Sequence, residues 1–174
     1  GSFRSSTLIA KTEGTRLGLV GITYVRTFDA SARLAAAYTA ELIPLALLSF
    51  PEVPRLTNEG RPPPASFQRT GTPAYGAGIT PLGFRITARP HRTWQPYLGT
   101  HAGLLYFPRP VPDTRGQRVN YLFDVSAGVR IVLRSGTSLL VGYRFHHLSN
   151  GFQGAINPGF DVHLFYIGLS TFGE

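Results

Sequence analysis

Residues 119–134 read Val-Asn-Tyr-Leu-Phe-Asp-Val-Ser-Ala-Gly-Val-Arg-Ile-Val-Leu-Arg. Tyr121, Phe123, Val125, Ala127, Val129, Ile131 and Leu133 recur at every second position. Between them stand Asn120, Asp124, Ser126, Gly128, Arg130 and Arg134, together with Leu122 and Val132. Successive side chains of a strand point to opposite faces, so a period of two places the apolar set on one face and the charged set on the other. A helix would scatter both sets around its axis. The stretch is a strand, and its length exceeds the usual five or six residues of a soluble sheet.

The same alternation extends outward from this segment. One face of the segment 32–44 holds Leu34, Ala36, Tyr38, Ala40 and Leu42, opposite Arg33, Thr39 and Glu41. In 94–107, Trp94, Leu98, Ala102, Leu104 and Tyr106 stand opposite Gln95, Gly99, His101 and Gly103. Further strands are expected at 3–12, 16–28, 75–89, 137–149 and 160–172, which makes eight. Pro81 interrupts the fourth, and a bulge is the place where a strand tolerates proline. Short connections at Asp29–Ala32, Pro90–Thr93 and Arg134–Thr137 alternate with long ones at Leu45–Ala74, Pro108–Arg118 and Ser149–Gly159. The first hairpin, at Glu13–Gly14, is short.

Composition narrows the class. The 174 residues suit one domain and include 20 Gly, eight Tyr, twelve Phe and one Trp, a bias toward strands and tight turns. No apolar run reaches the roughly 18 residues of a membrane-spanning helix. The polar faces carry both charge signs: Arg33, Glu41, Asp124, Arg130, Arg134 and Arg144. Paired charges and small residues fill the narrow interior of an eight-stranded barrel, and the apolar faces then meet lipid. Tyr38, Tyr75, Trp94, Tyr106, Tyr121 and Phe172 suit aromatic girdles. The expected fold is therefore all-β: an eight-stranded antiparallel up-and-down transmembrane β-barrel, residues 1–174 forming one domain. Short turns face the periplasm and long loops the outside. The longest loop, near 45–74, carries Pro51, Pro54, Pro62, Pro63, Pro64 and Pro73 with Arg55, Arg61 and Arg69, and reads as a disordered outside crown, with a semi-rigid flap as the alternative. The expected location is the bacterial outer membrane, with the export signal absent from this chain.

Charge and cysteine usage exclude several chemistries. Without Cys there is no disulfide, thiolate nucleophile or thiolate metal site. The net charge is +8, and every cation except Lys11 is an arginine, a residue suited to phosphate groups or an anionic surface. Nucleic-acid binding lacks a stacking platform on a polar face, and no Gly-rich phosphate loop opens a helix. His91 falls in a turn, and His101 and His146 point to the interior.

One constellation carries chemistry. Residues 143–151 read Tyr-Arg-Phe-His-His-Leu-Ser-Asn-Gly, and Asn157-Pro158-Gly159-Phe160-Asp161 follow. His147 and Ser149 are two apart and share a face with Leu139, Val141, Tyr143 and Phe145, at the end of the apolar stripe. Asp161 is in phase with Phe165, Ile167 and Leu169, where an antiparallel neighbour can bring it beside His147. Ser149 then reads as nucleophile, His147 as base and Asp161 as orienting carboxylate, with Asn150, Asn157 and the backbone N–H groups around Gly151 as oxyanion donors. His–Ser spacing of this kind also arises by accident at polar strand ends, and His163 on the Asp161 face leaves a His147–Asp161–His163 metal site as a further reading.

The motif His147-Leu148-Ser149-Asn150 with Asn157-Pro158-Gly159 resembles the His-x-Ser-Asn signature of the lipid A 3-O-deacylase (PagL-type) family, over roughly 142–168. The resemblance implies an outer-membrane serine esterase with its site on the outer wall and no metal or other cofactor. It also implies Ser149 and His147 as the reacting pair, Asn150 and Asn157 at the oxyanion pocket, and lipid A or lipopolysaccharide as partner. Best-known members carry Glu where Asp161 stands, one methylene longer. Phe172 is followed by Gly173 and Glu174, whereas such barrels often end on the aromatic. The acyl chain is expected against Tyr143, Phe145, Phe165 and Ile167, and phosphates near Arg109, Arg115 or Arg118. The alternative is a non-catalytic barrel, structural or partner-binding through the 45–74 loop.

Overall fold

A strand pattern with one apolar face leaves open which face lies inside, and the register settles it. The computed structural model describes residues 2–5, 15–50, 73–112, 115–133, 136–155, 157 and 159–171. Its elements are β1 (Ser2–Ser5), β2 (Arg16–Ala30), β3 (Leu34–Ser49), β4 (Ala74–Ala88), β5 (Trp94–Val111), β6 (Gln117–Val132), β7 (Thr137–Ser149) and β8 (Phe160–Thr171). From β2 to β8 each strand pairs antiparallel with the next in sequence, an up-and-down sheet of seven long strands. The four-residue β1 adds to the free edge of β8, with Ser2 opposite Leu164 and Ser5 opposite Val162. Among the described residues no helix is long and apolar enough to cross a membrane. The expected first strand lies outside the described residues beyond Ser5, as do the Glu13–Gly14 turn, Lys11, Arg134, Pro158, Phe172, the chain end, and the prolines and arginines of the long loop from Pro51 to Arg69.

Two strands run further than expected, and proline chemistry explains how. β3 continues past Pro44 to Ser49 because the register shifts between Ile43 and Ala46, and β5 passes Pro108 and Pro110 through a shift between Tyr106 and Val111. Proline offers no N–H to the ladder, so a bulge absorbs it without a lost bond. Pro81 sits in the same kind of shift, between Ile79 and Leu82, as its position predicts. The Pro81 carbonyl accepts the Tyr38 hydroxyl.

The sheet is strongly curled. Arg144 on β7 reaches Glu41 on β3 at 2.7 Å, although β6, β5 and β4 lie between them in the sheet. Tyr97 on β5 meets Tyr166 on β8 hydroxyl to hydroxyl, and Phe50 packs on Phe160 with ring centroids 5.4 Å apart. Cα atoms of β2 come within 8 Å of both β1 and β8. The convex side carries the apolar stripes: Leu98, Phe123, Val125, Ile167 and Leu169 are exposed, the last two by 75% and 76%. Soluble chains rarely display so broad an apolar surface.

The concave side is layered, and here the expectation of a polar interior needs correcting. A belt of Thr39, Glu41, Thr80, His101, Asp124, Ser126, Arg144 and His146 is buried across the middle. At the end bearing the long connections the interior is instead hydrocarbon: Leu17, Ile43, Leu48, Phe107, Leu122, Leu148, Phe160 and Val162 form one buried cluster. Ile43, Phe107, Leu122 and Leu148 share the phase of the polar set, and the register shift between Ile43 and Ala46 turns Leu48 inward as well. They are admitted because side chains converging on a narrow axis exclude water there, and each fully buried Leu or Phe then contributes about 1.5–3 kcal/mol relative to exposure.

The belt is held by charge pairing. Arg144 Nη1 donates to Glu41 Oε2, and Arg144 Nε lies 3.9 Å from Asp124. His101 links Thr39 at 3.0 Å and Asp124 at 3.1 Å. His146, buried as its inward phase predicts, lies 3.9 Å from Asp124, within ion-pair range and beyond hydrogen-bond range. Replacing Arg144 by Met leaves two buried carboxylates without their cation. Removing one partner of a buried pair costs about 3–5 kcal/mol. The expected result is a matching fall in unfolding free energy in detergent urea titrations, largely recovered when Glu41→Leu is added. A change below about 1 kcal/mol in Arg144→Met would refute this role for the pair.

Candidate active site

Antiparallel pairing of β7 with β8 runs in unbroken register from Thr137 opposite Thr171 to Leu148 opposite Phe160. Direct cross-strand partners hold their Cβ atoms about 4.5–5.5 Å apart. On the outward face this register builds a ladder: Val141 with Ile167, Tyr143 with Phe165, Phe145 with His163, and His147 with Asp161. Ser149 ends the ladder as the last residue of β7. The expected neighbours His147 and Asp161 are therefore direct partners, joined from Nδ1 to Oδ1 at 2.7 Å. A carboxylate at Nδ1 places the imidazole proton there and leaves Nε2 as the basic nitrogen. Although in the outward phase, Asp161 is 0% exposed, while the His147 side chain keeps 22%. The carboxylate is thus shielded and the imidazole accessible.

Ser149 is brought to the same end of the wall but not into a bond with His147. Its Oγ accepts the Gly151 N–H at 3.1 Å, and among the described residues no hydrogen bond joins it to the imidazole. Such contacts commonly tighten only when substrate is bound. Asn157 Oδ1 accepts the Asn150 backbone N–H at 2.9 Å, tying the two ends of the loop together. That backbone donor is occupied, so the Gly151 N–H is the one aimed at Ser149.

Gly151 has φ +63°, and a Cβ there would lie 2.8 Å from the Tyr121 ring. Both the left-handed backbone and the ring demand glycine. Gly151→Ala is expected to cost about 1–2 kcal/mol of stability and to move the N–H off Ser149. Thermal melting and amide hydrogen exchange at residue 151 report the two effects separately, and an alanine variant with parental melting and exchange would contradict the geometry.

The remaining sequence-predicted residues sort cleanly. Tyr143 and Phe165 are in edge contact with centroids 5.6 Å apart, and Phe145 contacts the His163 ring at 5.5 Å. The Tyr143 hydroxyl is bonded to His163 Nδ1, which gives the greasy wall one polar rung that spacing did not reveal. With His163 turned to Tyr143, the His147–Asp161–His163 set does not converge. Among the described residues the group that does is internal: ligand atoms of Glu41, His101 and Asp124 lie within 4.8 Å of one another. Arg144 already neutralises two of these residues, so the charge there suits a guanidinium rather than an added divalent cation. Arg109, Arg115 and Arg118 lie at the same end of the sheet as Ser149, Arg118 exposed and the others half-buried. His91 lies in the turn before β5, at the opposite end. Sequence reasoning missed Gln117 and Gln153, which bracket the Ser149 turn. Neither has a spacing signal, and Tyr121 between them reads only as a girdle aromatic.

No curated protein and no solved structure matches the chain. A sequence model described as Lipid A 3-O-deacylase (PagL) matches residues 64–170. That span covers more than half of the chain, from the end of the long connection to Ser170 in β8. It includes the Ser149 turn and the whole β7–β8 ladder, and the fold it meets here is an antiparallel, curled, all-β sheet: the chain belongs to the lipid A 3-O-deacylase (PagL) family.

Proposed function

We propose that this protein hydrolyses an acyl ester of lipid A from the outer wall of a closed eight-stranded transmembrane barrel in the bacterial outer membrane, using Ser149, His147 and Asp161. The observation that carries the reading is the 2.7 Å His147–Asp161 bond on the outward face, two residues from Ser149 and at the top of an apolar wall. An ester held in a bilayer meets such a wall without leaving the lipid.

His147 Nε2 takes the proton of Ser149 as Oγ bonds to the acyl carbonyl carbon. Asp161 holds the ring and balances the imidazolium. The Gly151 N–H, which donates to Ser149 Oγ in the resting site, passes to the adjacent oxyanion as Oγ bonds to carbon. Collapse of the adduct breaks the bond to the sugar oxygen, which receives the proton from His147. Water, deprotonated by the same imidazole, then cleaves the acyl-enzyme and releases the fatty acid. Tyr143, Phe145, Phe165 and Ile167 support the acyl chain along the ladder. Arg118 and its neighbours Arg109 and Arg115 face the phosphates at the loop end. The long outside loop completes the same single domain, and no cofactor enters any step.

Purified protein in detergent, given lipid A, tests the proposal by the fatty acid it releases. Release by the wild type and none by Ser149→Ala is expected. Equal release from both removes the serine mechanism, and no release from either points to a barrel that binds rather than cleaves.

A further inference from the structure

The turn after Ser149 contains two consecutive left-handed residues, Gly151 at φ +63° and Phe152 at φ +62°. Glycine accepts this backbone; phenylalanine does so only where the surroundings impose it. Phe152 is 86% exposed, so its own side chain cannot be what holds it. The restraint comes from β6. The Tyr121 ring lies against Gly151, and Tyr121 is the direct cross-strand partner of Ser149. The Tyr121 hydroxyl accepts Gln153 Nε2 at 2.8 Å, and Gln117 Nε2 donates to the Gln153 carbonyl at 2.7 Å. Gln153 N–H closes the turn on the Asn150 carbonyl at 3.2 Å.

We infer that Gln117, Tyr121 and Gln153 form a clip that holds the Gly151 N–H on Ser149, making Tyr121 and Gln153 positioning residues for ester cleavage. This rests on the reading of Ser149 as nucleophile. The clip acts through the turn and touches no reacting atom. The N–H it aims is needed most when negative charge develops on the carbonyl oxygen, and complete loss of an oxyanion donor costs roughly 10²–10³-fold in kcat. Loosening the turn, rather than deleting the donor, should forfeit about tenfold in kcat and leave KM nearly unchanged, because a donor used only in the transition state does not set substrate affinity.

Three measurements test the clip. Tyr121→Phe keeps the ring on Gly151 and removes only the hydroxyl; Gln153→Ala removes the other half of the same bond. Each is expected to lower kcat about tenfold, and the double variant no further than the worse single, since one interaction is lost once. Val119→Ala, exposed on the same strand and outside the clip, is expected to keep parental kcat. Independently of turnover, amide hydrogen exchange across 150–153 should accelerate about tenfold in both single variants while melting temperatures stay level. Parental exchange in both variants overturns the clip whether or not the protein is active. Additive losses, or losses in KM alone, overturn its positioning role. Equal release by wild type and Ser149→Ala with accelerated exchange would leave the clip standing and defeat the serine reading instead.

Discussion

Ser149→Ala is expected to lower fatty-acid release by roughly 10⁴- to 10⁶-fold, the loss typical when the nucleophile of a Ser–His–acid set is deleted. Alanine differs from serine only by the hydroxyl oxygen, so the end of β7 keeps its pairing of Ser149 with Tyr121. The Gly151 N–H loses its acceptor, but it lies at an exposed turn where solvent replaces that bond. A stability change of less than about 1 kcal/mol is therefore expected beside the catalytic collapse. Single-turnover release of fatty acid, followed by mass spectrometry, separates lost chemistry from lost binding. Residual turnover within tenfold of wild type would mean that water, not Ser149, attacks the ester.

Asp161→Asn is expected to cost about 10³- to 10⁴-fold in kcat with little change in KM. The carboxylate now accepts from His147 Nδ1 at 2.7 Å and is wholly shielded from solvent. A carboxamide in that position can present its N–H₂ to Nδ1. The imidazole proton then moves to Nε2, and the nitrogen that should accept the Ser149 proton already carries one. Parental kcat in Asp161→Asn would show that His147 acts without an orienting acid. The structure also resolves the short side chain at this position. Because His147 and Asp161 are direct partners in register, aspartate spans the gap without the extra methylene found in the best-known family members.

How much of this was legible follows from what each pattern encodes. Alternation in 119–134 and its counterparts specified the strands, and element bounds at β2, β4, β7 and β8 fall within two residues of those expected. The overruns of β3 and β5 were hidden because proline reads as a terminator until its bulge is seen. The His147–Asp161 contact and its nearness to Ser149 were readable because two of the three share a strand and the third stands at the start of the next. Tyr121, Gln117 and Gln153 were not, since they stand 28, 32 and 4 positions from Ser149 and meet only through the β6–β7 register and the loop.

Local chemistry in the chain alone determined the strand class, the two-faced character of each strand, and the residue types gathered around Ser149, because period and turn residues act over a few positions. Tertiary structure decided what depends on curvature and register. It set Arg144 against Glu41 across three intervening strands, filled one end of the interior with hydrocarbon, and seated Asp161 on His147 out of reach of water. Those outcomes hang on how far the sheet curls and on which rung each residue occupies, quantities that no local run of residues contains.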